Sequence, residues 1–429
     1  MSMHLPSCDA TQDRWMRATI AGGMLLPLFF LLSGKIYNRD VPLYDSGGRF
    51  DTLPLPLSVA VCVIGIAFFL RRLGRAQGAA AFVLAFAAAL LISGFVAADG
   101  SGFPVRKAIL AGQFLLPTMG LVLGQLVNDD DQLIARTFFC LLAVFVPLQL
   151  LAGWWQGVLS LTHNLFLFSI YQHFQFVPVV FVAAYCLVLG SPIATSRRNK
   201  LLLMIIMGVY SLSSASYLAM GLFAAGTLAY LAMNGIQDAH FRLRRADLLL
   251  PMLLGVFLLA SVSVLLAKGG LAARYDEGQL FGKFSALAAG KLPLNVTERL
   301  DDWARFGAGV AENDVSLLFG HSEPLPREVR TSAHNWYLDL AYNFGLIALM
   351  PIVALLVATV FLAWHKRSRL GNELRWLVGI VFFLIVVDAN FKVMLRQPYP
   401  GLFSFFLWGV LLSKLQALPR QRLSGKCGA

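Results

Sequence analysis

A histidine, an asparagine and an aspartate stand together at the start of a long apolar segment, within residues 332–345. His334 is the side chain best suited to chemistry, because an imidazole can take a proton from a hydroxyl near neutral pH. A helix beginning here would also present its first N–H groups to an anion. The alternative is structural, with Ser332 or Asn335 capping the helix and His334 lying at the membrane interface. Asp339 is five residues beyond His334, so its helical neighbour at i,i+4 spacing is Asn335.

The segment before this histidine, residues 268–331, is the one long polar stretch of the chain. Its acidic and basic residues are nearly equal in number. This balance favours a small ordered lid in which a few arginines point toward the substrate. Thr297 resembles the cap of a helix in which Arg299 and Trp303 share one face at i,i+4 spacing. Such a pair could hold a phosphate and stack a sugar, or simply pack the lid. Arg274, which closely follows an apolar segment, is a second candidate for phosphate.

A second group of charges recurs at four-residue spacing near the end of another apolar segment. Asp388, Lys392 and Arg396 form this group, and a charge within a span is usually functional or paired. A plain ion pair between Asp388 and Lys392 explains the spacing equally well. Arg106 and Lys107 offer another phosphate contact, although basic side chains at helix ends commonly extend toward the headgroups.

The composition indicates what must position these residues. With 58% hydrophobic and 14% charged residues and a mean hydropathy of +0.69, the chain is typical of an all-α polytopic membrane protein. We expect about twelve transmembrane helices, each near 20 apolar residues, with one large periplasmic loop between the ninth and tenth. The expected spans are near 18–34, 54–70, 79–97, 107–127, 133–153, 175–190, 201–216, 217–234, 247–267, 337–363, 374–391 and 399–415.

This division gives nine spans in residues 1–267, the loop in 268–336, and three spans with a tail in 337–429. Most of the lysines and arginines fall in alternate connections, so both termini are expected in the cytoplasm and the loop outside. The net charge of +12 follows from this bias and from contact with membrane lipids, and it predicts no nucleic-acid partner. Serines at 211–216 favour a hairpin between the seventh and eighth spans, and a kinked continuous helix is the alternative.

Metal and cofactor sites are not expected. Residues 128–131 match an Asp-x-Asp pattern, but the topology places them across the bilayer from His334, and they suit the cap of the fifth span. The sequence contains neither a zinc-ligand cluster nor a dinucleotide fingerprint. The five cysteines avoid the outer loops, so no disulfide framework is expected.

Several of these motifs resemble one family. His334-Asn335, followed by Leu338 and Gly345, is similar to the signature region of the O-antigen ligase and polymerase superfamily. Arg299 with Trp303, and Leu318-Phe319-Gly320, look like the arginine-tryptophan and glycine elements of the same region. The resemblance in motifs covers residues 297–350, and the layout of spans around one large outer loop extends it to the whole chain.

The resemblance implies metal-independent glycan transfer on the outer side of a bacterial inner membrane. The donor would be a glycan on undecaprenyl pyrophosphate, and the acceptor a sugar hydroxyl on lipid A–core or on another lipid-linked glycan. Arginines would stabilise the pyrophosphate leaving group, His334 would orient or deprotonate the hydroxyl, and Asn335 would contact the substrate. Direct displacement would invert the anomeric centre.

One departure bears on the donor site. Members of the superfamily often carry an arginine at the outer junction of the seventh and eighth spans, where this chain has none between Ser211 and Tyr217. The pyrophosphate contact is therefore expected from Arg274, Arg299 or Lys392 with Arg396, unless the donor differs.

Three functions remain open at this point. An O-antigen ligase leads, a polymerase for O-antigen or exopolysaccharide shares the same signature, and a transporter is the alternative from another class. Transporters usually carry broken helices and paired repeats, neither of which this sequence displays.

Overall fold

The computed structural model describes residues 8–30, 57–98, 103–127, 132–155, 176–193, 197–214, 216–237, 289–291, 294–325 and 332–418. Every regular element in these ranges is helical, which confirms the all-α class, and no strand occurs among them. The expected ninth span near 247–267, the acidic run at 128–131 and Arg274 lie outside the described residues.

The helices fall into two groups along the chain. The first group comprises α1 (Cys8–Phe30), α2 (Leu57–Phe68), α3 (Gln77–Ala97), α4 (Val105–Leu115), α5 (Met119–Leu126), α6 (Leu133–Trp155), α7 (Val177–Gly190), α8 (Arg197–Ser213) and α9 (Tyr217–Gln237). The second comprises α10 (Leu294–Val310), α11 (Asp314–Phe319), α12 (Trp336–His365), α13 (Asn372–Phe382), α14 (Ala389–Phe391) and α15 (Pro398–Ala417). Short 3₁₀ segments lead into α3, link α4 to α5, follow α12 and precede α15.

Within the described residues, five helical segments are long and apolar enough to cross a membrane. A helix satisfies its own backbone hydrogen bonds, which is what a chain in lipid requires. The segments are Leu70–Ala97, Val105–Leu126, Leu133–Leu151, Trp336–His365 and Asn372–Phe391. They overlap five of the expected spans and support a helical membrane protein. The total of about twelve spans stays a prediction.

The serine-rich segment between α8 and α9 separates two helices that contact each other. Ser214 Oγ donates to the carbonyl of Ser211 at 2.7 Å, and Ser216 Oγ accepts from the N–H of Ala219 at 3.4 Å. The serines thus satisfy backbone groups where one helix ends and the next begins. The structure therefore favours the hairpin over a continuous helix.

A sharp kink divides α12 at Gly345, whose φ is 70°. The tip of α11 fits against this kink: a Cβ on Gly345 would lie 2.1 Å from the carbonyl oxygen of Leu318. Gly320, with φ 75°, meets the same crossing, since its Cβ would lie 2.4 Å from the carbonyl carbon of Asn343. Two glycines therefore allow the polar segment to dock its backbone on the membrane helix.

The first half of α12 belongs to two packed clusters. Trp336 and Phe344 are buried in the main apolar core, where both contact Phe114 edge to face. On the other side, Tyr342 packs against Phe306 of α10 with ring centroids 4.8 Å apart. The first half of α12, which directly follows His334 and Asn335, is thus packed between the main apolar core and α10.

Candidate functional site

The start of α12 is fixed by Asn335. Its side-chain oxygen accepts hydrogen bonds from the N–H groups of Tyr337 at 3.0 Å and Leu338 at 3.1 Å, so Asn335 is the N-cap. Its amide nitrogen donates to the side-chain oxygen of Asn390 at 3.3 Å. Asn335 therefore does two things: it begins one helix and ties that helix to the end of another.

His334 lies immediately before this cap with a φ of 51°. It is half-buried, and its N–H reaches Ser332 Oγ at 3.5 Å. The left-handed conformation costs a non-glycine residue about 1–2 kcal/mol, and such residues concentrate at functional sites. Among the described residues, Gln132 is the other non-glycine residue with positive φ. The tertiary structure thus holds His334 in a backbone conformation that is unfavourable for a non-glycine residue.

Arg299 reaches the same region from α10. Its Nη1 donates to the carbonyl oxygen of Phe391 at 3.2 Å. Burial lowers the pKa of Arg299 from its ordinary value, whereas the carboxylates of Asp388 and Asp302 raise it. A guanidinium remains charged at neutral pH despite such a shift, so Arg299 provides a cation here. The helix begins at Leu294, so Thr297 lies inside it and the expectation that Thr297 caps it is wrong.

Trp303, one turn after Arg299, packs on Phe391 with ring centroids 5.9 Å apart. Its indole Nε1 is buried and makes no hydrogen bond within the part of the chain that the structure describes. Phe391 is 40% exposed. The two rings form an aromatic surface beside the Arg299 guanidinium, which suits the predicted sugar contact and the packing alternative alike.

Asp388 and Lys392 form the predicted ion pair, with Lys392 Nζ 3.3 Å from Asp388 Oδ1 and both side chains buried. Asp388 ends a π-helical segment, Phe383–Asp388, and such wide turns occur frequently at functional sites. Burial lowers the pKa of Lys392, and the neighbouring Asp388 carboxylate opposes that effect.

Arg396 does not continue this helical row. The chain becomes extended at Lys392 and then forms a 3₁₀ turn, Met394–Arg396. The expectation that all three charges follow one another at successive helical turns is therefore wrong for Arg396. Nη1 of Arg396 instead lies 2.5 Å from a carboxylate oxygen of Asp339. The partner of the Asp339 carboxylate is thus Arg396, where its spacing had indicated Asn335.

A further contact ties the polar segment to the membrane helices. Lys107 is fully buried, and its Nζ donates to the carbonyl oxygen of His321 at 2.6 Å. The His321 ring stacks on Tyr342 with centroids 4.1 Å apart, and its Nε2 lies 3.0 Å from the carbonyl oxygen of Gly309. Lys107 therefore has an internal role, whereas Arg106 is exposed. His321 was not predicted from the sequence.

The segment 388–392 brings the candidate residues together, because it contacts Arg299 and Trp303 on one side and Asn335 on the other. Asn390 and Phe391, which make these contacts, were missed from the sequence. An asparagine inside an apolar span was the available signal. Within the described ranges, no group of three or more His, Cys, Asp or Glu side chains is placed to hold a metal ion.

A comparison with protein-family models finds none that matches the chain, and no curated protein matches it.

Proposed function

We propose that the protein transfers a glycan from undecaprenyl pyrophosphate to a sugar hydroxyl at the periplasmic surface of a bacterial inner membrane. Lipid A–core is the proposed acceptor, which makes the protein an O-antigen ligase. The observation that carries the proposal is the meeting of Arg299, Lys392 and Asn335 at segment 388–392, directly beside His334. A lipid carrier places its pyrophosphate at the membrane surface, and this segment ends a membrane-length helix.

In the proposed reaction, the acceptor oxygen forms a bond to the anomeric carbon as the bond from that carbon to the pyrophosphate oxygen breaks. Negative charge then develops on the pyrophosphate. Arg299 stabilises this charge with a planar guanidinium, and Lys392 adds a second positive charge nearby. These two cations take the part that a divalent metal plays in many glycosyl transfers. Arg274 is proposed as a further donor contact.

His334 accepts the proton of the incoming hydroxyl or holds that hydroxyl in line for attack. This role is supported by the position of His334 in the chain, immediately before the Asn335 cap of α12. Attack on the face opposite the pyrophosphate inverts the anomeric centre. Trp303 and Phe391 provide an apolar surface on which a pyranose ring can stack. No cofactor enters this scheme.

Arg396 has a different place in the proposal. Its guanidinium is engaged by Asp339 and is largely buried, so Arg299 is better placed than Arg396 to meet the donor directly. Both termini are proposed to be cytoplasmic, with the segment containing Arg299 and His334 in the periplasm. This orientation is supported by the distribution of basic residues along the sequence.

The decisive experiment is the lipopolysaccharide gel of a deletion strain. Loss of a ligase leaves core without O-chains while lipid-linked polymer accumulates. Core carrying a single repeat unit would instead identify an O-antigen polymerase, which shares the same signature residues. An unchanged gel would remove both activities and direct attention to exopolysaccharide synthesis or transport. Complementation with the His334→Ala variant, detected at normal levels in the membrane, separates the chemistry from the presence of the protein.

A further inference from the structure

The carboxylate of Asp339 is an almost completely enclosed charge close to His334 in the chain. Asp339 is 1% exposed, and one of its oxygens lies 2.5 Å from Nη1 of Arg396. The carboxylate also accepts a hydrogen bond from the backbone N–H of Ala333. Arg396 lies over the ring of the buried Phe114, with its guanidinium carbon 5.8 Å from the centroid. One carboxylate thus joins the residue before His334 to a turn that lies 57 residues beyond Asp339 in the chain.

Both neighbours of His334 are therefore tied to the first turn of α12. Ala333 is fully buried and donates to Asp339, whereas Asn335 caps the helix by accepting from Tyr337 and Leu338. Between these two anchors, His334 takes its left-handed φ of 51°. A backbone held at both ends fixes the direction in which the Cα–Cβ bond of His334 leaves the chain.

Arg396 extends this restraint to the donor side of the site. It ends the 3₁₀ turn that follows Lys392, so its bond to Asp339 sets the distance between the Lys392 segment and the His334 backbone. A buried ion pair adds little net stability, yet it strongly disfavours arrangements that leave either charge without its partner. The Asp339–Arg396 pair is therefore well suited to fixing the position of the turn at Arg396 relative to the start of α12.

We propose that Asp339 and Arg396 are positioning residues that hold the His334 backbone in register with the Lys392 segment. The inference rests on the proposed function for its catalytic consequence, but the restraint itself is a property of the fold. The alternative, that the pair only stabilises the protein, predicts that removing both charges together costs nothing once stability is retained.

The test uses the full chain in lipid nanodiscs and a pair of double variants. Asp339→Leu with Arg396→Met removes both charges at similar volume and leaves Ala333 without its acceptor, and such replacements of buried pairs are often tolerated. Asp339→Asn with Arg396→Gln removes the charges but keeps an amide oxygen that can accept from Ala333. Glu373→Gln, which breaks the separate ion pair between Glu373 and Lys414, is the matched control.

Amide hydrogen exchange followed by mass spectrometry reports the restraint directly. In the Leu/Met variant, exchange in peptides spanning 332–335 should accelerate about ten-fold or more, because a hydrogen bond to a charged acceptor is lost. The Asn/Gln variant should lie between that variant and the wild type. Peptides from 346–365 and the whole of the Glu373→Gln variant should exchange as in the wild type.

Glycan transfer is the second measurement. The Leu/Met variant should lose about 100-fold in kcat with little change in the KM for the lipid-linked donor, because a displaced base slows the chemical step. The Asn/Gln variant should recover part of that loss. Wild-type kcat in a folded Leu/Met variant would overturn the proposal, and so would unchanged exchange at 332–335 in either double variant. If the wild-type protein transfers no glycan, the proposed function fails while the exchange measurement still decides whether the restraint exists.

Discussion

The side-chain amide of Asn335 donates to the side-chain oxygen of Asn390 across 3.3 Å, which joins the beginning of α12 to the short helix α14. Asn390 in turn donates to the carbonyl of Val386 at 2.7 Å, inside the π-helical segment. This chain of amides places the residue after His334 beside the segment that contacts Arg299 and contains Lys392. The candidate site therefore depends on contact between the start of α12 and the short helix α14.

Replacement of His334 tests the proposed proton acceptor. His334→Ala should reduce glycan transfer by about 100-fold or more while the protein still inserts in the membrane. Because His334 is left-handed, alanine also strains the backbone there. His334→Asn removes the imidazole but keeps a residue that tolerates positive φ. Both variants should be inactive in a purified transfer assay, and restored activity in His334→Asn would show that the role is conformational.

Arg299 is expected to contact the donor pyrophosphate. Arg299→Lys should lose most of the activity, because a lysine provides a point charge without the planar fork, and Arg299→Ala should lose nearly all of it. Arg305→Ala, on the exposed face of the same helix, is the matched control. Transfer rates and melting temperatures of purified variants provide the measurement. A fully active but less stable Arg299→Ala variant would make Arg299 structural and leave Arg274 and Lys392 as the proposed donor contacts.

Chelation tests the proposal that cationic side chains do the work of a metal. Glycan transfer by the purified protein should persist in excess EDTA, because Arg299 and Lys392 are proposed to supply the positive charge that stabilises the leaving pyrophosphate. Activity that disappears with EDTA and returns with magnesium or manganese would contradict this. Asp301 and the buried Asp302 would then be the first residues to replace.

The close backbone contact at Gly320 and Gly345 predicts that a side chain added there destabilises the protein. Gly345→Ala combines a left-handed backbone with a Cβ placed 2.1 Å from the carbonyl of Leu318, so the free energy of unfolding should fall by about 2–5 kcal/mol. Gly379→Ala, in α13 with no atom within 4 Å of the added Cβ, should raise it by about 0.5–1 kcal/mol. Thermal melts in detergent compare the two. Equal melting temperatures would mean that the polar segment does not dock at the kink.

Reporter fusions test the orientation on which the periplasmic site depends. A fluorescent protein fused to the C-terminus should fluoresce, whereas alkaline phosphatase fused there should be inactive, because the tail is expected in the cytoplasm. Phosphatase inserted after Glu312, in the turn between α10 and α11, should be active. The opposite pattern would place Arg299 and His334 on the cytoplasmic side and exclude a periplasmic transferase.

The sequence by itself determined the features that depend on neighbouring residues. Continuous apolar runs predicted the membrane-length helices, since the hydrophobicity that drives insertion is summed over a single segment. The Asn335 cap was one of two candidates, and the Asp388–Lys392 pair followed from i,i+4 spacing within one helix. The helix carrying Arg299 and Trp303 was also expected, although it begins at Leu294 rather than after Thr297.

The tertiary structure decided which distant segments meet. Nothing local in the chain pairs Asp339 with Arg396, Asn335 with Asn390, or Lys107 with the carbonyl of His321. Helical spacing predicted the wrong partner for Asp339, because the Asn335 side chain caps α12, and failed for Arg396, because the helix after Asp388 ends at Phe391. The left-handed φ of His334 has the same origin. Its intrinsic cost is offset by anchors on either side, and those anchors exist only when the start of α12 is packed against the turn that contains Arg396.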